Sequence, residues 1–335
     1  MQKKFDETEL FAAIGSEGAK IDRQMRADLD ALAPAIDRLL AEVLEYGLFS
    51  GGKRIRPLLA VAAARLCGYR GADIYSLACA FEYLHAATLF HDDIIDGSAN
   101  RRGNPAAYRK FGSTPAILAG DYLLALSMER VGLYSGQAGL KIFCRAAAGM
   151  VDGEFMQLRN AEKHNLSALD YHDIIMGKTA LLISAACEIG ALYGGGSPAE
   201  QERLKEFGMH LGCAFQIVDD LLDYLGDPAR TGKALGGDLL EGKMTLPLII
   251  ALRDSTGPIH QRLLEIIEDD SLRAGCRDEV CRLIERHNGF QLARQAAHEE
   301  AEKALEALEI FDSQEVAEER QILQSLTRYV VERDK

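Results

Sequence analysis

The chain has 335 residues, of which 48% are hydrophobic and 27% charged, a composition typical of a globular protein with a sizeable core. Its net charge of −13 argues against a nucleic-acid partner, but not against an anionic substrate held by local cations or metal ions. The longest run without Asp, Glu, Lys or Arg is 12 residues, against the roughly 20 apolar residues that a membrane helix needs, so no transmembrane segment is predicted.

The seven cysteines form no CxxC pair, and their neighbours are mostly apolar. An odd number of such cysteines is typical of reduced, buried thiols. Residues 1–6 lack the apolar core of a signal peptide. Together these features predict a cytoplasmic protein.

Apolar residues recur at helical spacing along most of the chain, and no convincing strand-turn-strand pattern appears. The prolines lie mostly where helices should begin or end. The loop at residues 194–198 is not read as a domain boundary, because two acidic motifs that need one shared cavity lie on either side of it. The sequence therefore predicts an all-α fold with a single domain, residues 1–335.

The first candidate binding segment is the sequence GGKRIRP at residues 51–57. The two glycines let the backbone turn closely around an anion, and the three cations that follow suit contacts to phosphate. The alternative is an exposed basic turn.

The first acidic motif is DDIID at residues 92–96. In a helix, Asp92 and Asp96 lie on one face. Carboxylates placed this close are costly unless cations neutralise them, and oxygen-only ligands suit magnesium ions (Mg²⁺) that also bind substrate phosphates. His85 lies two turns before Asp92 on nearly the same stripe. This alignment favours a substrate contact, with an ordinary core or surface histidine as the alternative.

Two further basic segments come next. Arg101 and Arg102 lie soon after the first motif, at a spacing that returns guanidinium groups to a phosphate bound there. Lys178 and Thr179 are predicted to open an apolar helix. A lysine facing the core is costly unless it meets an anion, and the alternative is a lysine that extends to solvent.

The second acidic motif is DDLLD at residues 219–223, where Asp219 and Asp223 share a helix face. Gln216 lies one turn before it. The Gly-rich segment 232–243 supplies two lysines and lacks the GK[ST] sequence of a P-loop. Two such acidic motifs in one chain predict a diphosphate held between two helices.

These segments, in this order, resemble the trans-isoprenyl diphosphate synthases of the polyprenyl synthetase family. The resemblance extends from Gly51 to Pro247 and rests on the sequences GGKRIRP, LHAATLFHDDIID, RRG, GDYLL, GEFMQL, GKTALL, FQIVDDLLDY and GKALGGDLLEGKMTLP. Ala234 stands where many members have proline. The resemblance implies an isoprenoid synthase-type helical bundle around a central apolar cavity, and it implies a homodimer.

The resemblance also assigns roles to residues. The metal ligands are expected to be Asp92, Asp96 and Asp219, holding about three Mg²⁺ ions. The other catalytic residues are expected to be Asp93, Asp220, Asp223 and Lys178. The residues expected to bind isopentenyl diphosphate are Lys53, Arg56, His85 and Arg102. The residues expected to bind the allylic diphosphate are Arg101, Lys178, Thr179, Gln216, Lys233 and Lys243.

Product length is expected to depend on the residues that precede the first motif. In the family, the fourth and fifth residues before it act as a floor, and here they are Thr88 and Ala87, both small. Phe81 is the candidate for a deeper floor, with an ordinary core phenylalanine as the alternative, and Leu84 is a candidate for the tunnel lining. These side chains predict a long product of the octaprenyl type, with geranylgeranyl or farnesyl diphosphate as the shorter alternatives.

Two other functions share part of this pattern. A class I terpene cyclase normally replaces the second DDxxD motif, and a non-catalytic regulatory subunit usually loses carboxylates, whereas this chain keeps both motifs intact. The C-terminal residues 329–335 are expected to fray, and closure over the site is the alternative.

Overall fold

The computed structural model describes residues 7–163, 166–226 and 235–333. Their secondary structure is almost entirely helical, which confirms the all-α prediction. The α-helices are α1 (Glu7–Leu32), α2 (Arg38–Leu48), α3 (Ile55–Leu66), α4 (Ile74–Ile95), α5 (Ala107–Phe111), α6 (Ser113–Lys163), α7 (Ala168–Ile175), α8 (Leu181–Tyr193), α9 (Pro198–Leu225), α10 (Gly237–Leu240), α11 (Leu246–Asp254), α12 (Gly257–Glu268), α13 (Asp270–Gly275), α14 (Arg277–Arg286), α15 (Gly289–Ala307) and α16 (Ala317–Glu332).

Other helical geometries occur at a few places. Short 3₁₀ segments lie at Ala33–Ala35 and Gln314–Val316. Helix α6 is kinked at Gly136, where φ is 62° and ψ is −162°. A π-helical turn, Met176–Ala180, joins α7 to α8. Lys178 and Thr179 therefore lie within a π turn. The prediction that they open a new helix is wrong.

The structure contains one feature that the sequence pattern did not predict, a small β-hairpin. Strand β1 (Asn100–Arg101) pairs antiparallel with β2 (Asn104–Pro105). The two turn residues, Arg102 and Gly103, both have positive φ, as a tight two-residue hairpin turn requires. Strands this short leave no alternation of apolar and polar residues to detect.

Contacts between α-carbons group the described residues into two compact units. The first comprises the described parts of Met1–Arg145, Ala185–Lys205 and Ile310–Ser325, and the second those of Ala146–Ser184, Glu206–Glu309 and Leu326–Lys335. The prediction that the chain forms a single domain stays a prediction.

The core of the first unit is built around helices α3 and α4. Nine of the twelve residues of α3 and fifteen of the 22 residues of α4 are buried. A helix that is apolar on most sides has to be surrounded by other helices. The packing holds α4 in place and brings its last turn, which carries the first acidic motif, to the surface of this unit.

The core of the second unit is centred on α11. Residues 246–252 of this helix are all buried, and they pack with α14 and α15. The buried Tyr224, from the last turn of α9, joins the same core and lies with its hydroxyl 3.0 Å from Thr245 Oγ1. The core thus fixes the C-terminal end of α9, which carries the second acidic motif.

The helical stretch Ala168–Tyr193 has the length and composition of a membrane-crossing helix, although the sequence predicted none. Its most apolar 18-residue window is 78% buried within the protein. Such burial is typical of a core helix. Among the described residues, no second helix passes the same test.

Candidate active site

The first acidic motif lies at the C-terminal end of α4. Asp92 is half-buried in the last turn, and Asp96 is the exposed C-cap residue, with its amide donating to the Asp92 carbonyl at 2.8 Å. Asp93 is only 4% exposed. The helix dipole is negative at this end, so it adds to the repulsion among the carboxylates. The arrangement therefore favours the binding of cations.

The β-hairpin brings one such cation to the motif. Arg101 donates from Nε to Asp93 Oδ1 at 2.8 Å, and its Nη2 contacts the same oxygen. Arg102, in the hairpin turn, donates from Nη1 to the carbonyl oxygen of Gly51. The hairpin thus connects the first acidic motif to the segment at residues 51–57.

The three cations of that segment have different surroundings. Lys53 is exposed and Arg56 is half-buried. Arg54 is 5% exposed and forms ion pairs with Asp22 at 2.8 Å and with Glu82 at 2.6 Å. Sequence reasoning missed this structural role of Arg54, because a run of cations does not show which one faces the core.

His85 completes this basic region. Burial, together with Arg56, Arg102 and Arg101, holds the pKa of His85 well below its usual range. A neutral imidazole among arginines keeps one nitrogen as a donor and one as an acceptor. The predicted residues for isopentenyl diphosphate thus lie in the first unit, with His85, Arg56 and Arg102 close enough to interact electrostatically.

The predicted product-length residues succeed one another along α4. Ala87 and Leu84 are buried, while Thr88 is half-buried and donates from its hydroxyl to the His85 carbonyl at 2.9 Å. Phe81 is fully buried and packs edge-to-face on Phe143, with ring centroids 5.6 Å apart. Phe81 therefore has the contacts of a core residue.

The second acidic motif uses its three carboxylates in three different ways. Asp219, whose side chain is 41% exposed, forms an ion pair with Arg333. Asp220 is buried and accepts hydrogen bonds from Tyr171 and Gln216. Asp223 accepts hydrogen bonds from the backbone amides of Gly237 and Asp238. Asp219 is therefore the most accessible of the three for a ligand from solution.

Asp220 belongs to a chain of hydrogen bonds that links three helical segments. Thr179 donates to Gln216 Oε1 at 2.7 Å, Gln216 donates to Asp220 Oδ1 at 2.8 Å, and Tyr171 donates to Asp220 Oδ2 at 2.7 Å. Burial and the charge of Asp238 raise the pKa of Asp220 to about 8, although both hydrogen bonds oppose this change. Without bound cations, burial therefore shifts Asp220 towards its protonated form.

Close helix packing makes this chain of hydrogen bonds possible. Gly208, Gly212, Gln216 and Asp220 succeed one another at i, i+4 along α9, so they form one stripe. A Cβ atom at Gly208 would lie 2.6 Å from the Ser184 α-carbon, and the two backbones can approach only because it is absent. The glycines thus bring the next two turns of α9 within reach of Thr179 and Tyr171.

Lys178 is held by side chains of α6. Its Nζ lies 2.7 Å from Glu154 Oε2 and donates to Gln157 Oε1 at 3.3 Å. Gly153 and Gly177 allow this approach, because a Cβ atom at Gly153 would lie 2.7 Å from the Lys178 amide nitrogen. A π turn places Lys178 beside these partners, and such turns are frequent at functional sites.

Lys243 comes after α10 and is held by neighbouring carboxylates. Its Nζ lies 3.2 Å from Asp238 Oδ1 and 2.5 Å from Glu241 Oε2. Burial alone would lower the pKa of Lys243, but these carboxylates raise it, so the side chain stays charged. Asp223 fixes the start of α10 and thereby positions this segment. Lys233, also predicted to bind the allylic diphosphate, lies outside the described residues.

One pocket of the second unit collects most of these groups. Its lining includes Lys178, Gln216, Asp220, Lys243 and Tyr171. The pocket combines two ammonium groups with amide, phenol and carboxyl groups, a set suited to a phosphate group and its counter-ions.

Some residues of these networks were given no role from the sequence. Tyr171 lies in none of the motifs, and Glu154 and Gln157 lie in GEFMQL, a segment to which the resemblance assigned no role. Their contacts join distant positions in the chain, so spacing alone could not reveal them. Arg333 also contacts the Phe215 carbonyl at 3.3 Å and lies over the Phe215 ring. The prediction of a frayed C-terminus is therefore wrong for the helical residues up to Glu332 and for Arg333, while residues 334–335 lie outside the described range.

The fold and these residues define a helical protein with acidic and basic groups suited to diphosphates. The Polyprenyl synthetase family model matches residues 37–284. The chain is 36% identical to octaprenyl diphosphate synthase from Haemophilus influenzae over 94% of this chain and 93% of that protein. It is 33% identical to a short chain isoprenyl diphosphate synthase from Methanothermobacter thermautotrophicus over 93% of this chain and 95% of that protein.

A solved structure gives the same result for the fold. The polyprenyl synthase from Caulobacter crescentus, in complex with calcium and isoprenyl diphosphate, superposes with a TM-score of 0.86 at 34% identity, covering 100% of both chains. The chain belongs to the polyprenyl synthetase family. It has the all-α isoprenoid synthase fold, and it is a prenyltransferase.

Proposed function

We propose that this prenyltransferase is a Mg²⁺-dependent trans-polyprenyl diphosphate synthase. It condenses isopentenyl diphosphate head-to-tail with an allylic diphosphate, repeatedly, to give a long product such as octaprenyl diphosphate. The observation that supports this activity most directly is the pocket of the second unit, in which Lys178, Gln216, Asp220 and Lys243 share one lining. These residues come from separate motifs that family resemblance assigns to diphosphate binding.

The donor atoms of the acidic motifs fit magnesium. Asp92, Asp96 and Asp219 offer carboxylate oxygens, which Mg²⁺ prefers. In the first motif, Asp92 and Asp96 are less buried than Asp93. In the second motif, Asp219 and Asp223 are less buried than Asp220. We assign Asp92, Asp96 and Asp219 as the metal ligands. Bound Mg²⁺ would neutralise the diphosphate and make it a better leaving group. Asp93, Asp220 and Asp223 act by positioning, since Asp93 and Asp220 are buried and Asp223 accepts hydrogen bonds from the backbone amides at the start of α10.

The basic residues and their polar neighbours bind the two substrates. Isopentenyl diphosphate is assigned to Lys53, Arg56, His85 and Arg102, and the allylic diphosphate to Arg101, Lys178, Thr179, Gln216, Lys233 and Lys243. Guanidinium and ammonium groups stabilise the negative charge that grows on the departing diphosphate. Because the allylic diphosphate carries several negative charges, we expect it to compete with Glu154 for Lys178 and with Asp93 for Arg101.

The chain's own residues also control the steps that begin with the departure of the diphosphate. The C1–O bond of the allylic substrate breaks, and the electron pair stays on the diphosphate. The double bond of isopentenyl diphosphate then attacks C1, and a proton is lost to the departing diphosphate. Apolar side chains exclude water from the allylic cation, since water would quench it. No side-chain nucleophile is required.

The long product is proposed from the small residues of α4. Ala87 and Thr88 are small where larger side chains would stop growth, and Phe81 is engaged in packing on Phe143. The relatives differ in product, and one of them is a short chain synthase. A geranylgeranyl or farnesyl product is therefore the competing form of this proposal.

Four broader properties belong to the same proposal. We expect a cytoplasmic homodimer in which residues 1–335 form a single catalytic domain, and no nucleic-acid partner. The family match across residues 37–284 includes both acidic motifs, which supports a single catalytic domain.

Incubation of the full-length chain with isopentenyl diphosphate, farnesyl diphosphate and Mg²⁺ tests the activity. The products are dephosphorylated and separated by chromatography against prenyl alcohols of known length. We expect octaprenyl alcohol, and no elongation when EDTA replaces Mg²⁺. A folded protein that elongates nothing would contradict the synthase proposal, and a product of four prenyl units or fewer would contradict only its length.

A further inference from the structure

A second group of potential metal ligands lies in the second unit, apart from the acidic motifs. The ligand atoms of His172, Cys213 and Glu300 all lie within 4.8 Å of one another. His172 is on α7, Cys213 on α9 and Glu300 on α15, so three helices contribute one residue each. Cys213 and Glu300 are buried at 1% and 7% exposure, and His172 is half-buried.

The donor set differs in kind from that of the acidic motifs. Imidazole nitrogen, thiolate sulfur and carboxylate oxygen together are the ligands of zinc sites, whereas Mg²⁺ takes oxygen ligands. Zinc bonds of about 2.0–2.3 Å place tetrahedral ligand atoms about 3.5 Å apart. The separations here exceed that value by about 1.3 Å at most, a difference that we expect side-chain rotation to close.

Glu300 is prepared to act as a ligand. His210 Nδ1 lies 2.7 Å from its Oε2, and Lys303 Nζ lies 2.6 Å from its Oε1. Burial alone would raise its pKa, but these two partners lower the pKa of Glu300 to about 2. An ionised carboxylate has about four lone-pair positions, so contacts with two donors leave others for a cation.

The other two ligands complete the site. Among the described residues, the structure gives the His172 ring no hydrogen-bond partner. Burial and the nearby Glu300 raise the pKa of Cys213 to about 12, so without a cation its thiol keeps its proton. A zinc-type cation displaces such a proton on binding, and the thiolate then neutralises part of the cation's charge.

We infer that His172, Cys213 and Glu300 form a binding site for one zinc-type divalent cation, with water in the fourth position. A cation bound there would join α7, α9 and α15. The site lies next to the hydrogen bonds of the second acidic motif, because Tyr171 precedes His172 and Gln216 lies one turn of α9 after Cys213. The inference does not depend on the proposed product or on the Mg²⁺ sites.

Cobalt(II) provides the test, because a Co²⁺–thiolate bond gives an intense near-ultraviolet charge-transfer band that oxygen ligands do not give. The full-length chain, stripped of metal and reduced, is titrated with Co²⁺ in the presence of excess Mg²⁺. We expect a thiolate band that saturates at one Co²⁺ per chain and is lost on addition of Zn²⁺. The Cys213→Ser variant should lose the band, and His172→Gln should bind Co²⁺ at least about tenfold more weakly.

Cys187→Ser is the matched control, since Cys187 is also a fully buried thiol but lies in the first unit. Its band should equal that of the wild type. The absence of a thiolate band in folded wild-type protein, or its persistence in Cys213→Ser, would overturn the assignment. If Cys213→Ser does not fold, an unchanged Co²⁺ affinity in the half-buried His172→Gln variant would do the same.

Discussion

The two acidic motifs have nearly the same sequence, but the structure stabilises their middle aspartates by different means. Asp93 in the first unit is buried against a guanidinium group, that of Arg101. Asp220 in the second unit is buried against neutral donors, the Tyr171 hydroxyl and the Gln216 amide. A cation stabilises the ionised carboxylate directly, whereas neutral donors do not fully offset the cost of burying it.

The outer aspartates differ as well. Asp92 and Asp96 occupy the last turn and the C-cap of α4, while Asp219 and Asp223 lie within α9 before its end. Asp223 holds the start of α10, so it organises the segment that carries Lys243. The comparison teaches that a DDxxD sequence fixes which carboxylates share a face, and that the surrounding chain decides which of them remain accessible to metal.

The largest expected effect tests whether both motifs are needed despite these differences. Asp92→Ala and Asp219→Ala should each lower kcat by at least about 10²–10³-fold, because each removes a ligand that stabilises the departing diphosphate. Steady-state rates with isopentenyl and farnesyl diphosphates measure this. Asp30→Ala, at an exposed position of α1, is the control and should behave like the wild type. Activity within a few-fold of wild type in Asp92→Ala or Asp219→Ala would remove that aspartate from the metal site.

The second prediction concerns the first unit alone, where small residues precede the motif. Ala87→Phe should shorten the main product by several isoprene units, because the larger ring blocks the path of the growing chain. Chromatography of the dephosphorylated products measures the length, and circular dichroism checks the fold, since overpacking costs about 1–3 kcal/mol. Ala87→Val should give an intermediate length. A folded Ala87→Phe variant with an unchanged product would place the floor elsewhere.

The third prediction isolates the neutral environment of Asp220. Its pKa is raised to about 8 from an ordinary value of 3.8, so between these pH values the folded state binds more protons than the unfolded state. The free energy of unfolding should therefore be highest below about pH 4 on this account. It should fall as the pH rises towards 8, by up to about 1.4 kcal/mol per pH unit.

Urea unfolding in EDTA at several pH values measures this dependence. Asp220→Asn keeps the hydrogen bond from Tyr171 and removes the ionisation. Its free energy of unfolding should therefore fall less steeply with pH than that of the wild type, by up to about 1.4 kcal/mol per pH unit. Asp152→Asn, at an exposed position, serves as the control. Equal slopes in wild type and Asp220→Asn would mean that Asp220 is ionised in the folded protein.

Sequence reasoning was most successful where the signal is periodic. The spacing of apolar residues predicted the all-α fold, and the order of the motifs predicted the family. Helical spacing also placed Asp92 with Asp96, and Asp219 with Asp223, on shared helix faces. The hairpin at Arg102 and the π turn at Lys178 were not predicted, because each depends on a local backbone geometry spanning a few residues.

The partners of the site residues were the hardest to predict. Tyr171 donates to Asp220, which lies 49 positions later in the sequence. Arg54 is buried and pairs with Glu82, whereas the neighbouring Lys53 and Arg56 are more exposed. Such contacts depend on how closely helices pack, as at Gly208 against Ser184. A single sequence shows where the glycine is, but it does not show which helix packs against it.

The smallest expected effect concerns Asp219 and its partner. Arg333 pairs with this carboxylate, and the guanidinium group also lies 4.3 Å from the centroid of the Phe215 ring. A metal that binds Asp219 has to displace Arg333 or share the carboxylate with it, so the ion pair opposes metal binding by the free energy of that pair. Partly exposed pairs contribute up to about 1 kcal/mol.

Arg333→Ala should therefore lower the Mg²⁺ concentration for half-maximal activity by about twofold to fivefold. Initial rates across a Mg²⁺ titration measure it, with the exposed Arg328→Ala as the control from the same helix end. A higher Mg²⁺ requirement in Arg333→Ala would show instead that Arg333 assists the site, as a residue that binds the diphosphate beside the metal would.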